Sequence, residues 1–560
     1  VADRLESYVT GSRDHNNRSE ERSSRPWHLV DPSGGSVGGA ATSPAHAKDQ
    51  PLLPPLWWRI LSGRSFAWRS RLAAQRALRW LELRPVARDA ARAGNWRLLV
   101  EFVARRRQAS RRRPHRPTVS VDATVVGSAD RRTQSLLISG VSLHTSEATD
   151  APRIVIDDDG CTARVSRPDG EQLHLASPVD PTRWNPNRFP ERSSIDVLAL
   201  TNLPIGDDAR SVRRRLRFAQ RARAVAVDAA SELTDDTLTR LIAELACAGV
   251  IIGGTLRPAV AEAVGPELAR LVERIDLRDP SHLREGRPRL LHSIDIRRAA
   301  FAQFAPRDQW NMIGAALGVD VHATPTVSVL LASNRPDRVV EAVDRVVNQL
   351  GVDVQLIVGL HGSQMPAHLD AAIAEHANGV DVVVRRLDDA LNLGDVLNDL
   401  TSCADGDLVS KWDDDDWYEP HHLSDLARAL DFSGAVLVGK AAEFVYLEAL
   451  DITIRRFAAA AERLSVTLAG GTLLLTRDDL VAVGWAPVAK QVDRQLIDTL
   501  QDRGLPTYRT HGFGYVLHRQ GSSLAQHTWQ AGDGYFLRQS SEQRAGLDLA
   551  FAGFETEPPS

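Results

Sequence analysis

From Thr324 onward the spacing of apolar positions switches repeatedly between strand-like runs and helical periods, and each switch predicts an element. Val327-Ser328-Val329-Leu330-Leu331-Ala332 is a short apolar run closed by Ser333-Asn334-Arg335-Pro336, the pattern of a buried strand and its terminal loop. Val339, Val340, Val343, Val346, Val347 and Leu350 then recur at helical spacing. Val354–Gly359 predicts a second strand ended by His361-Gly362-Ser363, the stretch Pro366–Ala377 a helix, and Val380–Val384 a third strand. A helix around Gly394–Cys403 leads to a short strand, Gly406–Ser410, and another helix is expected over His421–Leu430. Strands alternating with helices through short loops argue for a mostly parallel, Rossmann-like α/β sheet covered by helices. In such sheets ligands bind beyond the carboxyl ends of the strands. The regions of Ser333, Ser363 and Asp413 all follow strand ends, so they are expected to converge on one crevice.

The rest of the chain is patterned differently. Asp196–Leu200, Ala224–Asp228 and Val250–Gly253 read as strands separated by helices at Ser211–Arg221 and Asp235–Ala248, a second and smaller Rossmann-like unit spanning about residues 191–320. Its tail, Leu290–Leu317, reads as helical and carries Arg297, Arg298 and Trp310. Between residues 118 and 190 short strands such as Ser135–Ile138 and Arg153–Ile156 predict a small β-rich module, with Asp157-Asp158-Asp159-Gly160 as a hairpin turn. Residues 51–117 predict a basic helical segment. Within 57–116 there are 17 arginines against the three acids Glu82, Asp89 and Glu101, with five tryptophans (Trp57, Trp58, Trp68, Trp80 and Trp96) interleaved. Two readings are open for it. One is docking on an anionic membrane surface, where each cation adds about 1 kcal/mol; the other is a packed helical subdomain with solvated arginines. No nucleic-acid-reading motif accompanies it. The first 50 residues, rich in Ser, Gly, Asp and Arg without periodicity, are expected to be disordered, and 546–560 to form a tail.

Chemistry concentrates in Lys411-Trp412-Asp413-Asp414-Asp415-Asp416-Trp417-Tyr418. Like charges a few Å apart cost roughly 1 kcal/mol per pair in water and about 4 at an effective dielectric of 20. A solvated acidic turn absorbs that cost, but the flanking aromatic residues point to partial burial. Carboxylates so placed need a cation or must keep their protons. Composition narrows little further: 43% hydrophobic and 25% charged residues are ordinary for a soluble globular protein, and a net charge of −4 names no partner. Cys161, Cys247 and Cys403 are too widely spaced for a metal or disulfide pattern, as suits a reducing cytoplasm. No uninterrupted apolar stretch is long enough for a transmembrane helix, and the N-terminus, which begins with Val, lacks a signal peptide's apolar core.

The ordered motifs from about Thr324 to Gln539, some two-fifths of the chain, resemble a family 2 glycosyltransferase with the GT-A fold. Val327–Arg335 resembles the family's first strand and nucleotide-contacting loop, and Asp413–Asp416 its Asp-x-Asp-Asp element. Gly470-Gly471-Thr472-Leu473-Leu474-Leu475-Thr476-Arg477 resembles the later glycine-led strand near the acceptor site. Val492-Asp493-Arg494 falls where the family places its catalytic acid. There are two departures: Leu360-His361-Gly362-Ser363 stands where the family commonly has Asp-Asp-Gly-Ser, and Val492-Asp493 where it has Glu-Asp.

The resemblance implies a GT-A domain over 324–545 and an inverting transfer of a sugar from a nucleotide-sugar donor to a hydroxyl acceptor. It implies a divalent cation, Mn or Mg, bound through Asp415 with Asp413, and donor contacts from Ser333, Asn334, Arg335 and Asp413. Asp493 is the implied base, and Gly470, Gly471 and Arg494 lie on the implied acceptor side. Asp414 and Asp416 are expected to orient the loop or to face solvent. His518 is the expected third metal ligand, with His527 as its rival; a structural or surface role is equally open for either. Lys440, an isolated cation, is expected to contact phosphate or acceptor or to be solvated. A UDP-sugar is the implied donor, and a cell-envelope saccharide or lipid-linked acceptor follows family habit. That places the enzyme in the cytoplasm, peripheral to the inner face of the membrane. The 191–320 unit vaguely resembles the sugar-nucleotide half of a two-domain glycosyltransferase, without a phosphate loop, and is read as a scaffold or acceptor domain. Two alternatives stay open: a nucleotidyltransferase, which calls for a glycine-rich phosphate loop that Ser333–Pro336 lacks, and a catalytically silent GT-A-like scaffold.

Overall fold

The computed structural model describes residues 119–122, 124–126, 141–144, 153–156, 162–166, 172–176, 195–206, 209–219, 221–275, 277, 286–305, 308, 324–456, 461–520 and 533–554. The basic segment 57–116, the strand expected at Ser135–Ile138, the turn Asp157–Asp159, Trp310 and His527 lie outside these residues.

Among the described residues six short strands come first: β1 (Val119–Asp122), β2 (Thr124–Val126), β3 (Val141–His144), β4 (Arg153–Ile156), β5 (Thr162–Ser166) and β6 (Gln172–Ala176). β1 and β3 pair in parallel, and β2-β4-β5-β6 form a separate sheet in which β4 and β5 run antiparallel. Next, β7 (Ile195–Ala199), β8 (Ala222–Val227) and β9 (Ile252–Gly254) make a three-stranded parallel sheet. Its connections are α1 (Ala209–Ala219) and α2 (Asp235–Cys247), and α3 (Pro258–Val264), α4 (Pro266–Glu273) and α5 (Gly286–Phe304) follow. Thr234 caps α2 by accepting the Thr237 N–H, with Asp235 and Asp236 in the first turn, a start the macrodipole favours. α5 begins at Gly286, before the helix expected over Leu290–Leu317, and residues 309–317 of that expectation lie outside the described residues.

The larger sheet is mixed and eight-stranded, in the order β12-β11-β10-β13-β19-β15-β20-β18. β10 (Thr326–Ser333), β11 (Asp353–His361), β12 (Asp381–Leu387) and β13 (Leu408–Trp412) run parallel. They are joined by α6 (Pro336–Val347), α7 (Leu369–His376) and α8 (Leu393–Ser402). The run predicted from Val327 is a central strand whose apolar side chains are buried between two helical layers. After β13 come β14 (Trp417–Tyr418), α9 (His422–Ser433), β15 (Leu437–Gly439), β16 (Phe444–Leu447), β17 (Ile452–Arg456), β18 (Arg463–Leu464), β19 (Leu473–Thr476), α10 (Arg477–Val483), α11 (Val492–Asp502), β20 (Thr507–Arg509) and β21 (Tyr515–Arg519). β19 lies antiparallel to β13, which reverses the sheet's direction beside the strand that carries the acidic cluster. A second sheet, β14-β21-β16-β17-β22, is completed by β22 (Ser540–Ala545), which follows the short helix α12 (Asp533–Leu537).

One hydrophobic core runs without a break from Leu241, Ile252, Val260 and Phe301 of the first α/β unit into Val329, Val343, Leu426 and Tyr508 of the second. A second core on the opposite face of the large sheet joins Leu397, Val409, Leu473, Trp485 and Leu496. Among the described residues no helix is long and apolar enough to cross a membrane.

Candidate functional site

The parallel register sets the site. Leu331 of β10 lies opposite Trp412 of β13, so two residues on, past the end of each run, Ser333 and Asp414 come together. The Ser333 hydroxyl donates to Asp414, and the Arg335 N–H donates to Ser333 Oγ at 3.0 Å. The four carboxylates of the loop alternate as a strand would. Asp414 and Asp416 are buried, at 3% and 1% exposure, whereas Asp413 and Asp415 are only partly covered. Of the two roles expected for Asp414 and Asp416, facing solvent is therefore excluded and orienting the loop is what their partners show. Asp416 accepts the Tyr515 hydroxyl at 2.6 Å and the His518 backbone N–H at 2.9 Å.

The cations that the cluster requires are supplied in part by the chain itself. The Arg335 guanidinium grips Asp414 through two nitrogens and reaches Asp415 at 2.8 Å. Lys411, two residues before Asp413 and on the same face of β13, pairs with Asp413 and lies 3.4 Å from the Gly470 carbonyl. Burial pulls the Lys411 ammonium pKa down, but Asp413 and Asp493 outweigh it and hold the group charged. Two cations do not balance four acids. Burial raises the Asp416 carboxyl well above the usual range, and Asp415 and Asp413 push it further; burial also raises Asp414 in spite of Arg335. Acids thus outnumber the cations paired with them among the described residues, and burial favours a retained proton on Asp416.

The glycine-led turn closes the other side. An added Cβ on Gly470 would meet the Asp493 carboxylate, with Cγ at 2.8 Å, and one on Gly471 would lie 2.8 Å from Asp413 Oδ2 and 2.7 Å from the Tyr418 hydroxyl. Only glycine lets this turn pass between the two acids. Asp493 lies half-buried in the first turn of α11. Asp413, Gly470, Gly471 and Asp493 therefore converge, with Lys411 between them. Lys411 has a sequence signal, the i, i+2 spacing to Asp413. Tyr515 has none, because it lies 99 residues from Asp416.

The remaining candidates have further partners. Asn334 is exposed in the loop after β10. Arg494 is exposed and pairs with Asp498 one turn along its own helix. The buried His518 ring lies against Trp417 and Tyr446 with its Nε2 3.7 Å from Glu448. Among the described residues no three His, Cys, Asp or Glu side chains gather to hold a metal ion. The donor set that does fit a hard cation is Asp413 with Asp415, the two partly covered carboxylates of the loop, since Mg and Mn retain waters and take one or two protein carboxylates. A cation there competes with Arg335 for Asp415. Lys440 is not solvated: it is fully buried and donates to the Phe513 carbonyl. At the departure after β11, the Ser363 N–H donates to Asp389 at 3.0 Å, bringing a carboxylate from the end of β12 beside the His361–Ser363 loop.

An eight-stranded mixed sheet reversed beside a strand that ends in an acidic loop, with a glycine turn facing that loop, fits the GT-A fold. Residues 329–457 match the family model described as glycosyl transferase family 2, the family that the sequence resembles. No curated protein matches the chain in sequence. Among solved structures, the chain is similar to TarS of S. aureus at 13% identity, covering 35% of this chain and 37% of that one, with a TM-score of 0.28. A mannosyltransferase from Pyrobaculum calidifontis in complex with GDP-Man and Mn2+ is 14% identical over 34% of this chain and 56% of that one, with a TM-score of 0.27. Glucosyl-3-phosphoglycerate synthase from Mycobacterium tuberculosis, in complex with Mn2+, UDP and glucosyl-3-phosphoglycerate, is 20% identical over 36% of this chain and 75% of that one, with a TM-score of 0.27. The chain spans 37% of TarS and 56% of the mannosyltransferase. Likenesses at these TM-scores do not carry an activity.

Proposed function

We propose that the chain transfers a sugar from a nucleotide donor to a hydroxyl acceptor with inversion at the anomeric carbon. The observation that carries this reading is the placement of Asp413 and Asp493 on the two sides of the Gly470–Gly471 turn, with Asp415 in the same loop as Asp413. The Asp493 carboxylate accepts the proton of the acceptor hydroxyl as that oxygen bonds to the anomeric carbon. The bond to the diphosphate oxygen breaks and its electron pair leaves with the nucleoside diphosphate. A positioned base of this kind contributes roughly 10²–10⁴-fold. Asp413 and Asp415 would hold Mn or Mg, which when bound supplies Lewis-acid stabilisation of the diphosphate charge. Lys411 fixes the Asp413 carboxylate from behind, and Arg335 fixes Asp414 so that the loop keeps its alternation.

A UDP-sugar donor and a saccharide or lipid-linked acceptor belong to this reading, as does attachment of residues 57–116 to an anionic membrane face. Liposome sedimentation of the full chain against one starting near Thr118 tests the last point, and equal pelleting would remove it. The central test is hydrolysis and transfer across a panel of nucleotide sugars, with and without Mn, for the wild type, Asp415→Ala and Asp493→Asn. Release of pyrophosphate from nucleoside triphosphates would favour a nucleotidyltransferase instead, and inertness towards the whole panel would leave a silent scaffold.

A further inference from the structure

The first α/β unit reaches the site through two adjacent arginines of α5 that lead to different places. Arg297 pairs with Glu462 at 2.9 Å, and Glu462 accepts the Tyr508 hydroxyl at 2.7 Å. That link runs to the β18–β20 edge of the large sheet. Arg298 donates to both Asp425 oxygens, at 2.6 and 3.1 Å, and to the Glu419 carboxylate. Glu419 directly follows β14. Its N–H donates to the Gly514 carbonyl at 3.0 Å, and its own carbonyl accepts Gln349 Nε2 at 2.9 Å and the His422 N–H at 3.0 Å. Gly514 adopts φ +74°, and an added Cβ there would meet the Glu419 side chain, with Oε1 at 2.7 Å.

Glu419 and Gly514 are each one residue from a group that holds the acidic loop. Before Glu419 stands Tyr418, whose hydroxyl oxygen accepts the Asp413 N–H at 3.0 Å and whose ring stacks on Trp412 at 3.8 Å. After Gly514 stands Tyr515, whose hydroxyl bonds Asp416. His422 packs edge-on against both Trp412 and Tyr418. The Arg298 ion pairs thus sit where the two arms of the loop meet, one fixing Asp413 and the other Asp416.

We propose that Arg298 is a positioning residue for the donor site, through which α5 of the first α/β unit clamps the Asp413–Asp416 loop. This rests on the reading of that loop as the donor site, and it gives the unit a role in building the site that does not depend on acceptor binding. Arg298 touches no loop carboxylate, so its effect passes wholly through Glu419, Asp425 and the two tyrosines.

The test uses the full chain with Arg298→Met, Arg298→Lys and, as the control on the same helix, Arg297→Met. Amide hydrogen exchange over Asp413–Glu419 reads the clamp directly, and calorimetry with UDP or GDP plus Mn reads its consequence. Arg298→Met is expected to speed exchange at Asp413 and Glu419 and to weaken nucleoside diphosphate binding by roughly 10–100-fold, the range seen when groups that orient ligating residues are removed. Arg298→Lys is expected to restore part of both, and Arg297→Met to leave loop exchange and affinity near wild type. Should Arg298→Met fail to fold, the triple variant Arg298→Met, Glu419→Gln, Asp425→Asn removes the stranded charges and is read in the same way. Unchanged exchange over Asp413–Glu419 in a folded Arg298 variant overturns the clamp. So does unchanged affinity where the wild type binds. A wild type that binds neither UDP nor GDP with Mn removes the functional reading instead, and the exchange result then decides the clamp alone.

Discussion

Two clusters of acids and cations lie a few residues apart in this chain, and their charges are balanced differently. At the α5 seam, Asp425, Glu419 and Glu462 meet Arg297 and Arg298, with Lys440 also buried beside them. Burial alone would raise the Asp425 and Glu462 carboxyls. Arg298 and His511 hold Asp425 well below the usual range, and Arg297 lowers Glu462. In the loop, the ion pairs among the described residues are those of Arg335 and Lys411 with four acids, and burial drives Asp414 and Asp416 the other way. A satisfied cluster stabilises the fold, whereas an unsatisfied one holds free energy that a bound cation can recover. On the proposed function, this difference separates the acids that build the molecule from those that work in it.

The largest effect expected from either cluster is catalytic. Asp493→Asn should keep the fold and donor affinity and lower turnover by about 10²–10⁴-fold once an acceptor is in hand. A kcat within a few-fold of wild type would reduce Asp493 to an ordinary acid at a helix start.

The comparison itself is tested by stability. Asp425→Ala leaves the half-buried Arg298 with Glu419 alone and takes the partner of buried His511, and should cost about 3 kcal/mol in denaturant unfolding. Asp415→Ala removes one of four crowded acids while Arg335 keeps its grip on Asp414, so its cost should stay under about 1 kcal/mol. Equal losses for the two variants would erase the distinction between a structural and a working cluster.

Acidification should act through the buried histidines before it reaches the seam. Burial, with Arg274 and Arg270 nearby, lowers His292 from 6.5 to about 4, and burial lowers His422 and His511 as well. A base with a depressed folded pKa takes up its proton in the unfolded chain first, so stability is full above pH 6.5 and falls as pH drops towards the folded value. For His292 that amounts to about 3 kcal/mol in all, about 2 of it lost by pH 5. The depressed seam carboxyls add their loss only below about pH 4. His292→Phe should flatten the fall in the denaturant midpoint between pH 7 and 5, and an unchanged slope would remove His292 as its source.

Much of the large sheet could be read from pattern alone, because its central strands are apolar throughout. The edge was harder. β12 runs three residues past the predicted Val384, through Arg385 and Arg386, whose side chains pair with Asp399 and Asp370 in solvent. An edge strand accepts such residues, and no periodicity marks them. Within the site, Asp413, Asp415 and Asp493 were visible as a motif, and Lys411 was within reach from strand spacing. The partners of Asp425 and Asp416 were not, since contacts 127 and 99 residues apart depend on tertiary packing. His518 is singled out in sequence by the apolar strand-like run before it and by the family resemblance; its place between Trp417 and Tyr446, with its backbone N–H on Asp416, depends on how β14, β16 and β21 pair.

The smallest expected effect falls on Arg494, the cation nearest in sequence to the proposed base. Its guanidinium is exposed and meets Asp498 at 2.8 Å, an i, i+4 pair on the surface of α11. Such pairs contribute about 0.3–0.5 kcal/mol. Arg494→Ala should therefore shift the denaturant midpoint barely beyond error and leave kcat and KM for both substrates within about two-fold, while Asp493→Asn one residue away abolishes most of the turnover. A KM for the acceptor raised more than about ten-fold in Arg494→Ala would mean that the guanidinium leaves Asp498 to bind the acceptor. The working surface would then extend from the loop along α11, and the division between structural and working charges would have to be drawn further out.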